Sequence, residues 1–150
     1  MSFIPEVLKR KEDAPPRTTQ NPLRLIAALA VEAALDKKAL DIVVMDLEGV
    51  SGFADMFIVC TGESELQVKA IADAVVDTIR EEAQERPWHK EGYEHKQWIL
   101  LDYADLVVHV LNPERRAFYG LERLWGDAPR EEVNPDGTAA DVKLLQAKSK

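Results

Sequence analysis

Residues 98–113 read Trp98-Ile99-Leu100-Leu101-Asp102-Tyr103-Ala104-Asp105-Leu106-Val107-Val108-His109-Val110-Leu111-Asn112-Pro113. Two apolar runs of strand length are separated by Tyr103-Ala104-Asp105 and closed by Asn112-Pro113. Short apolar runs bounded by turn chemistry read as buried strands, and so small a gap folds the second back on the first as a hairpin. Asn112 then supplies a helix cap. Pro113 stands at the first helical position, where its missing N–H costs nothing. The helix they start is predicted through Tyr119 and onward to Trp125, with Phe118, Leu121 and Trp125 on its core side.

Upstream, the same reasoning gives two more strands, Asp41–Leu47 and Met56–Thr61, linked across Gly49 and Gly52. Thr61-Gly62-Glu63-Ser64 ends the second, and Ser64 with Gln67 has capping-box spacing. The helix that follows places Val68, Ile71, Ala72, Val75 and Ile79 on one face. Acidic residues crowd its exposed end until Pro87, and a charged loop leads on to Trp98. Before the strands, Asn21-Pro22 reads as cap and first turn of a helix that repeats Leu23, Ile26, Ala27, Ala30 and Ala34 at helical spacing to about Lys37. The order helix, strand, strand, helix, strand, strand, helix predicts an α/β fold. It is a small sandwich in which helices pack on a mixed sheet.

This domain spans residues 21–126. Residues 1–20, with Pro5, Pro15 and Pro16 and little periodicity, read as a flexible N-terminal tail. Residues 127–150 read as a polar C-terminal tail. Asn134-Pro135-Asp136-Gly137 marks a turn there, and Ala139–Ala147 a short frayed helix.

The formal charge is −8, and residues 21–126 hold nineteen acidic against eleven basic side chains, so the acidity belongs to the domain. Phosphate-driven binding needs clustered cations that release counterions, so strong independent nucleic-acid binding is excluded. A basic protein partner suits such a field. Cys60 is the single cysteine, which rules out an intramolecular disulfide and fits a reducing compartment. No apolar run is long enough to span a bilayer, and Met1 to Arg10 lacks the apolar core of a secretory signal. The expectation is a soluble, cytoplasmic protein.

Catalytic and metal chemistry find little support. His89, His95 and His109 are scattered and Cys60 has no partner at ligand spacing, so no metal site is expected. His109 alternates with valines inside a strand and reads as a structural histidine. Cys60 lies in an apolar strand as a small hydrophobe. Gly62-Glu63-Ser64, where a strand meets a helix, has the form of a phosphate-holding turn, as in nucleotidyltransferases. That chemistry also requires paired carboxylates to hold metal ions. Asp46 with Glu48, or Asp102 with Asp105, are the pairs on offer, and neither stands in Asp-x-Asp form on the strand after the Gly-Ser helix. Glu63 would oppose a phosphate. The cap explains the turn better than an active site, so no enzyme activity and no cofactor are expected.

Aromatic residues and arginines concentrate between Trp98 and Trp125, the types that dominate interface hot spots. Trp98 begins a strand directly after a hydrophilic loop, which makes it a candidate for a partner surface.

Four blocks in this order and spacing resemble the ribosomal silencing factor, or Iojap-like, family: residues 41–46, 60–64, 98–110 and 118–125. The resemblance covers about Asn21 to Trp125. It implies a nucleotidyltransferase-like α/β fold that lacks the catalytic carboxylates. It further implies binding to the large ribosomal subunit through its ribosomal protein fourteen, which blocks the small subunit from joining and represses translation, and a tendency to form homodimers. The contact strand and turn match Trp98, Ile99, Asp102, Tyr103 and Asp105, and Arg115 and Arg116 are added as donors at the start of the next helix. Ala104 stands where members commonly have glycine. A large-subunit biogenesis factor on the same surface, or a nucleotidyltransferase using Gly62 and Ser64, are the alternatives.

Overall fold

The computed structural model describes residues 21–146 apart from Ser51 and Phe53. The predicted tail 1–20 lies outside the described residues. The chain runs α1 (Leu23–Asp36), β1 (Leu40–Asp46), β2 (Met56–Thr61), α2 (Glu65–Ala83), β3 (His89–Glu91), β4 (Trp98–Asp102), β5 (Leu106–Leu111), α3 (Pro113–Tyr119), α4 (Leu121–Leu124) and β6 (Arg130–Glu132). Two 3-10 turns, Ala139–Asp141 and Lys143–Leu145, follow. The strands form one mixed sheet in the order β3-β4-β5-β2-β1-β6. Only β2 and β5 pair in parallel, from Met56 opposite Leu106 to Thr61 opposite Leu111; the other pairings are antiparallel.

Every residue of β2, β4 and β5 is buried, which is why these strands read as unbroken apolar runs. Their alternating side chains supply two cores. Ile58, Cys60, Ile99, Leu101, Val108 and Val110 point to the face covered by α1 and α2. Phe57, Val59, Trp98, Leu100, Val107 and Leu111 point to the other, where Leu121 and Ala128 close over them and Tyr119 and Trp125 pack alongside. The predicted hairpin forms, with Trp98 opposite Leu111 and Asp102 opposite Val107.

Several sequence expectations need correction. Asn21 does not cap α1: Pro22 holds that position, and the Asn21 amide donates instead to the Ala83 carbonyl (3.0 Å) and Glu85 (2.6 Å), tying the start of α1 to the end of α2. The capping box of α2 is offset by one residue. Ser64 Oγ accepts from the Gln67 amide (3.0 Å) as predicted, but Gln67 Oε1 accepts from the Glu63 amide (2.8 Å). The charged loop before Trp98 contains β3. The final helix ends at Gly120, which adopts φ 54°, and a separate turn α4 follows.

Residues 127–146, within the segment read as a polar tail, are built into the domain. There β6 pairs with β1, Val43 opposite Glu132 and Met45 opposite Arg130. Val133, Ala139, Val142 and Leu145 are buried in the core that α1 covers. Glu32 accepts from the Ala139 amide, while Glu131 accepts from those of Lys143 (3.0 Å) and Leu144 (3.1 Å), so acidic side chains satisfy backbone donors of the two 3-10 turns.

Ala104 turns the hairpin at φ 81° while 2% exposed. An L-residue there crowds its own backbone, and glycine does not. Ala104→Gly is expected to raise stability by about 1 kcal/mol, read as a higher urea midpoint with an unchanged slope; an unmoved midpoint would show an unstrained turn.

Candidate functional site

The residues expected at a partner surface separate into two groups. Trp98, Ile99, Asp102 and Tyr103 are all buried, at 2%, 0%, 0% and 1% exposure. The expectation that they form an exposed contact is therefore corrected: β4 is flanked by β3 and β5 and covered on both faces, so its side chains fill the two cores. Asp102 serves the turn, where Oδ1 accepts from the Ala104 amide at 2.8 Å. The Asp105 carbonyl accepts from the amides of Asp55 (2.9 Å) and Met56 (3.1 Å), pinning the turn to the start of β2. Asp105 keeps partial exposure, but it lies at the opposite end of the hairpin from Trp98 and Arg115, roughly 15 Å away for a strand of this length.

Arg115 and Arg116 are both half-buried and face different ways. Arg116 is a brace: Nη1 donates to the Asp41 carbonyl (2.6 Å) and Thr61 Oγ1 (3.0 Å), and Nη2 to Glu122 (3.0 Å). It joins β1, β2 and α4 across one wall of a cleft of about 390 Å³. Arg115 donates from Nε (3.0 Å) and Nη2 (2.6 Å) to Gln97 Oε1, and its backbone amide is capped by Asn112 Oδ1 (2.8 Å).

Phe118, expected in the core, is 69% exposed, and Leu124 is 62% exposed. Phe118 stands three residues after Arg115 on α3, so the two share a helix face. Its edge meets Tyr119 (5.0 Å between centroids), Tyr119 packs on Trp98 (4.7 Å), and Trp98 neighbours His109 (5.9 Å). An aromatic chain thus runs from solvent into the sheet. Tyr119-Gly120 was the available signal: a glycine ending the helix there breaks the register that would have carried Phe118 inward with Leu121. Leu121 is buried and Trp125 half-buried over Phe57 (5.1 Å), as the sequence predicted.

His109 is fully buried beneath this surface. Its Nδ1 accepts from the Trp98 indole N–H (3.1 Å), its ring meets Phe57 edge-on (4.4 Å), and Nε2 has no hydrogen-bond partner among the described residues. Burial pushes its pKa down to about 3, so the neutral ring carries its proton on Nε2 and the indole bond survives. Burial likewise pushes the Cys60 thiol up to about 12, an inert sulfur despite the Arg116 charge that opposes the shift.

The Gly62–Ser64 turn is occupied by packing. A Cβ on Gly62 would lie 2.9 Å from both Val68 Cγ2 and the Val68 amide, so glycine is needed for close approach of α2. The carboxylate pairs stand elsewhere. Asp46 pairs with Met56 and Asp102 with Val107, at the other end of the central strands from Thr61. The length of β2, from Met56 to Thr61, separates them by roughly 17 Å. Among the described residues no group of three or more His, Cys, Asp or Glu side chains could hold a metal ion, and no helix is long and apolar enough to cross a membrane.

Fold and site together define a small α/β protein that presents an aromatic-backed helix face at the end of its sheet. The chain belongs to the family described as ribosomal silencing factor during starvation, whose sequence model matches residues 19–150. It is 47% identical over 105 residues to the ribosomal silencing factor RsfS of Halalkalibacterium halodurans, covering 70% of this chain and 89% of that one. It is 41% identical over 109 residues to the protein of that name in Bacillus subtilis, covering 73% and 92%. The crystal structure of a Chromobacterium violaceum protein superposes with a TM-score of 0.68 at 35% identity, covering 81% of this chain and 98% of that one.

Two outcomes check this description. Trp98→Ala removes the ring that carries Tyr119 and caps His109, and is expected to cost about 3–5 kcal/mol in denaturant unfolding; a loss below 1 kcal/mol would mean that Trp98 is not core. His109, depressed when folded, stays neutral while the unfolded chain takes up a proton below about pH 6.5. Its stabilising contribution is therefore present above that pH and lost as pH falls toward 3. One such site gives about 1.4 kcal/mol less stability at pH 5.5 than at pH 7.5. His109→Gln should remove that share of the slope, and an identical slope in both proteins would refute the assignment.

Proposed function

We propose that this chain is a ribosomal silencing factor. It binds the large ribosomal subunit through ribosomal protein fourteen and, by its bulk, keeps the small subunit from joining, so that translation falls. The observation that carries this reading is membership of the silencing-factor family over residues 19–150. The site agrees with it: obstruction needs a stable contact in the right place and no bond making. The contact is assigned to the face of α3 bearing Arg115 and Phe118, with Trp98 and Tyr119 positioning it from below. Exposed aromatics beside an arginine are the groups from which interface energy is drawn. The charge of −8 steers the chain toward a basic protein and away from bare phosphate. A cytoplasmic location and self-association as a homodimer complete the proposal; the latter is checked by the mass of the purified chain in solution.

The direct test is sedimentation of the purified protein with isolated large subunits, small subunits and joined ribosomes. Selective binding to large subunits, with fewer joined particles after small subunits are added, is expected. Phe118→Ala should weaken binding about thirtyfold, a hot-spot loss near 2 kcal/mol, with its unfolding midpoint unchanged. Equal binding to all fractions, or to none, would defeat the proposal.

A further inference from the structure

A pocket of about 50 Å³ lies beside Trp98, lined by Gly92, His95, Gln97, Trp98 and Arg115. We propose that it is the seat of a single carboxylate, delivered by an Asp or Glu side chain of a protein partner to Arg115 and His95. The assignment rests on the reading that the α3 face meets a partner.

Three features of the pocket point to this ligand. First, the guanidinium is fixed before any ligand arrives. Gln97 Oε1 takes the Nε and Nη2 bonds, the Gln97 carbonyl accepts from the Asn112 amide (2.9 Å), and Asn112 Oδ1 caps the Arg115 amide, so strand start, cap and arginine form a closed set. The loop is equally fixed, because a Cβ on Gly92 would meet the Trp98 carbonyl oxygen at 1.9 Å and the Lys96 amide donates to the Gly92 carbonyl (2.9 Å). A prefixed donor set loses little freedom on binding.

Second, Gln97 is neutral and leaves the charge uncompensated. Arg80 and Arg116 have carboxylates at 3.0 Å. Arg115, half-buried, has none within ion-pair distance among the described residues, and the N–H groups of Nη1 have no acceptor there. A fork of guanidinium donors matches a carboxylate in plane and spacing.

Third, the pocket has room for about three or four water-sized groups, the size of a carboxylate. The surrounding domain is acidic and includes the exposed Glu94 and Glu114. A nucleic-acid backbone would bring many phosphates against that field, whereas one side chain reaches the cationic pocket alone.

The test is a titration of the ¹⁵N-labelled full chain with sodium propionate, dimethyl phosphate and sodium chloride at matched ionic strength. The Arg115 Nε–H, His95 and Trp98 indole signals should move saturably with propionate only, and the response should vanish in Arg115→Gln. Movement equal to that in chloride would overturn the proposal. Stronger movement with dimethyl phosphate would overturn it in favour of a nucleic-acid backbone. Binding of the same proteins to isolated large subunits separates the two claims. Arg115→Gln should weaken it about tenfold, with Arg115→Lys between. Unchanged binding in Arg115→Gln would show that the seat is unused there. Wild-type chain that answers propionate but ignores large subunits would remove the ribosomal reading and leave the seat standing.

Discussion

The parallel pairing of β2 with β5 at the centre of the sheet is the constraint from which the rest follows. Both strands are buried on both faces over their full length, so the sheet needs two covers. α1 and α2 provide one from apolar helix faces. The second cover is small: α3, α4 and the residues up to Ala128 must shield Phe57, Val59, Trp98, Val107 and Leu111. Aromatic rings do this because each covers a large area from few backbone atoms. The same economy brings Phe118 to the surface, since a helix of one face cannot turn all its rings inward.

A polar residue sits inside this second cover. His109 is buried at the middle of β5 and holds Trp98 by a single bond to Nδ1. The bond fixes which way the indole faces, and the indole fixes Tyr119 above it. A buried polar contact costs desolvation but selects one arrangement of otherwise interchangeable rings. The exposed face of α3 is thereby tied to the sheet through side chains as well as through the chain.

Much of the fold was legible in the sequence because its signals were local. The strands around Val43, Ile58, Ile99 and Val108 were apolar runs of strand length, and Ser64 and Asn112 announced helix starts by their caps. What escaped depended on tertiary partners. Arg130-Glu131-Glu132 has no strand pattern, and becomes β6 because β1 offers an open edge and Glu131 can satisfy the turn beyond it. The site was half legible. Arg115 and the aromatic cluster could be named from composition, but burial of Trp98 to Tyr103 could not, since β3 hides in a charged loop and only its pairing with β4 encloses that strand. Phe118 was assigned inward because helical spacing was extended through Gly120, where the helix in fact stops.

The central claim is that the face of α3, held from beneath by Trp98 and Tyr119, is what meets the large subunit. Hydroxyl-radical footprinting of the chain, free and bound to isolated large subunits, reads this directly from side-chain oxidation. Phe118 should be protected in the complex, while Trp88 and Leu66, also exposed but outside α3, keep their reactivity. Protection of Trp88 or Leu66 with Phe118 still fully reactive would contradict the account.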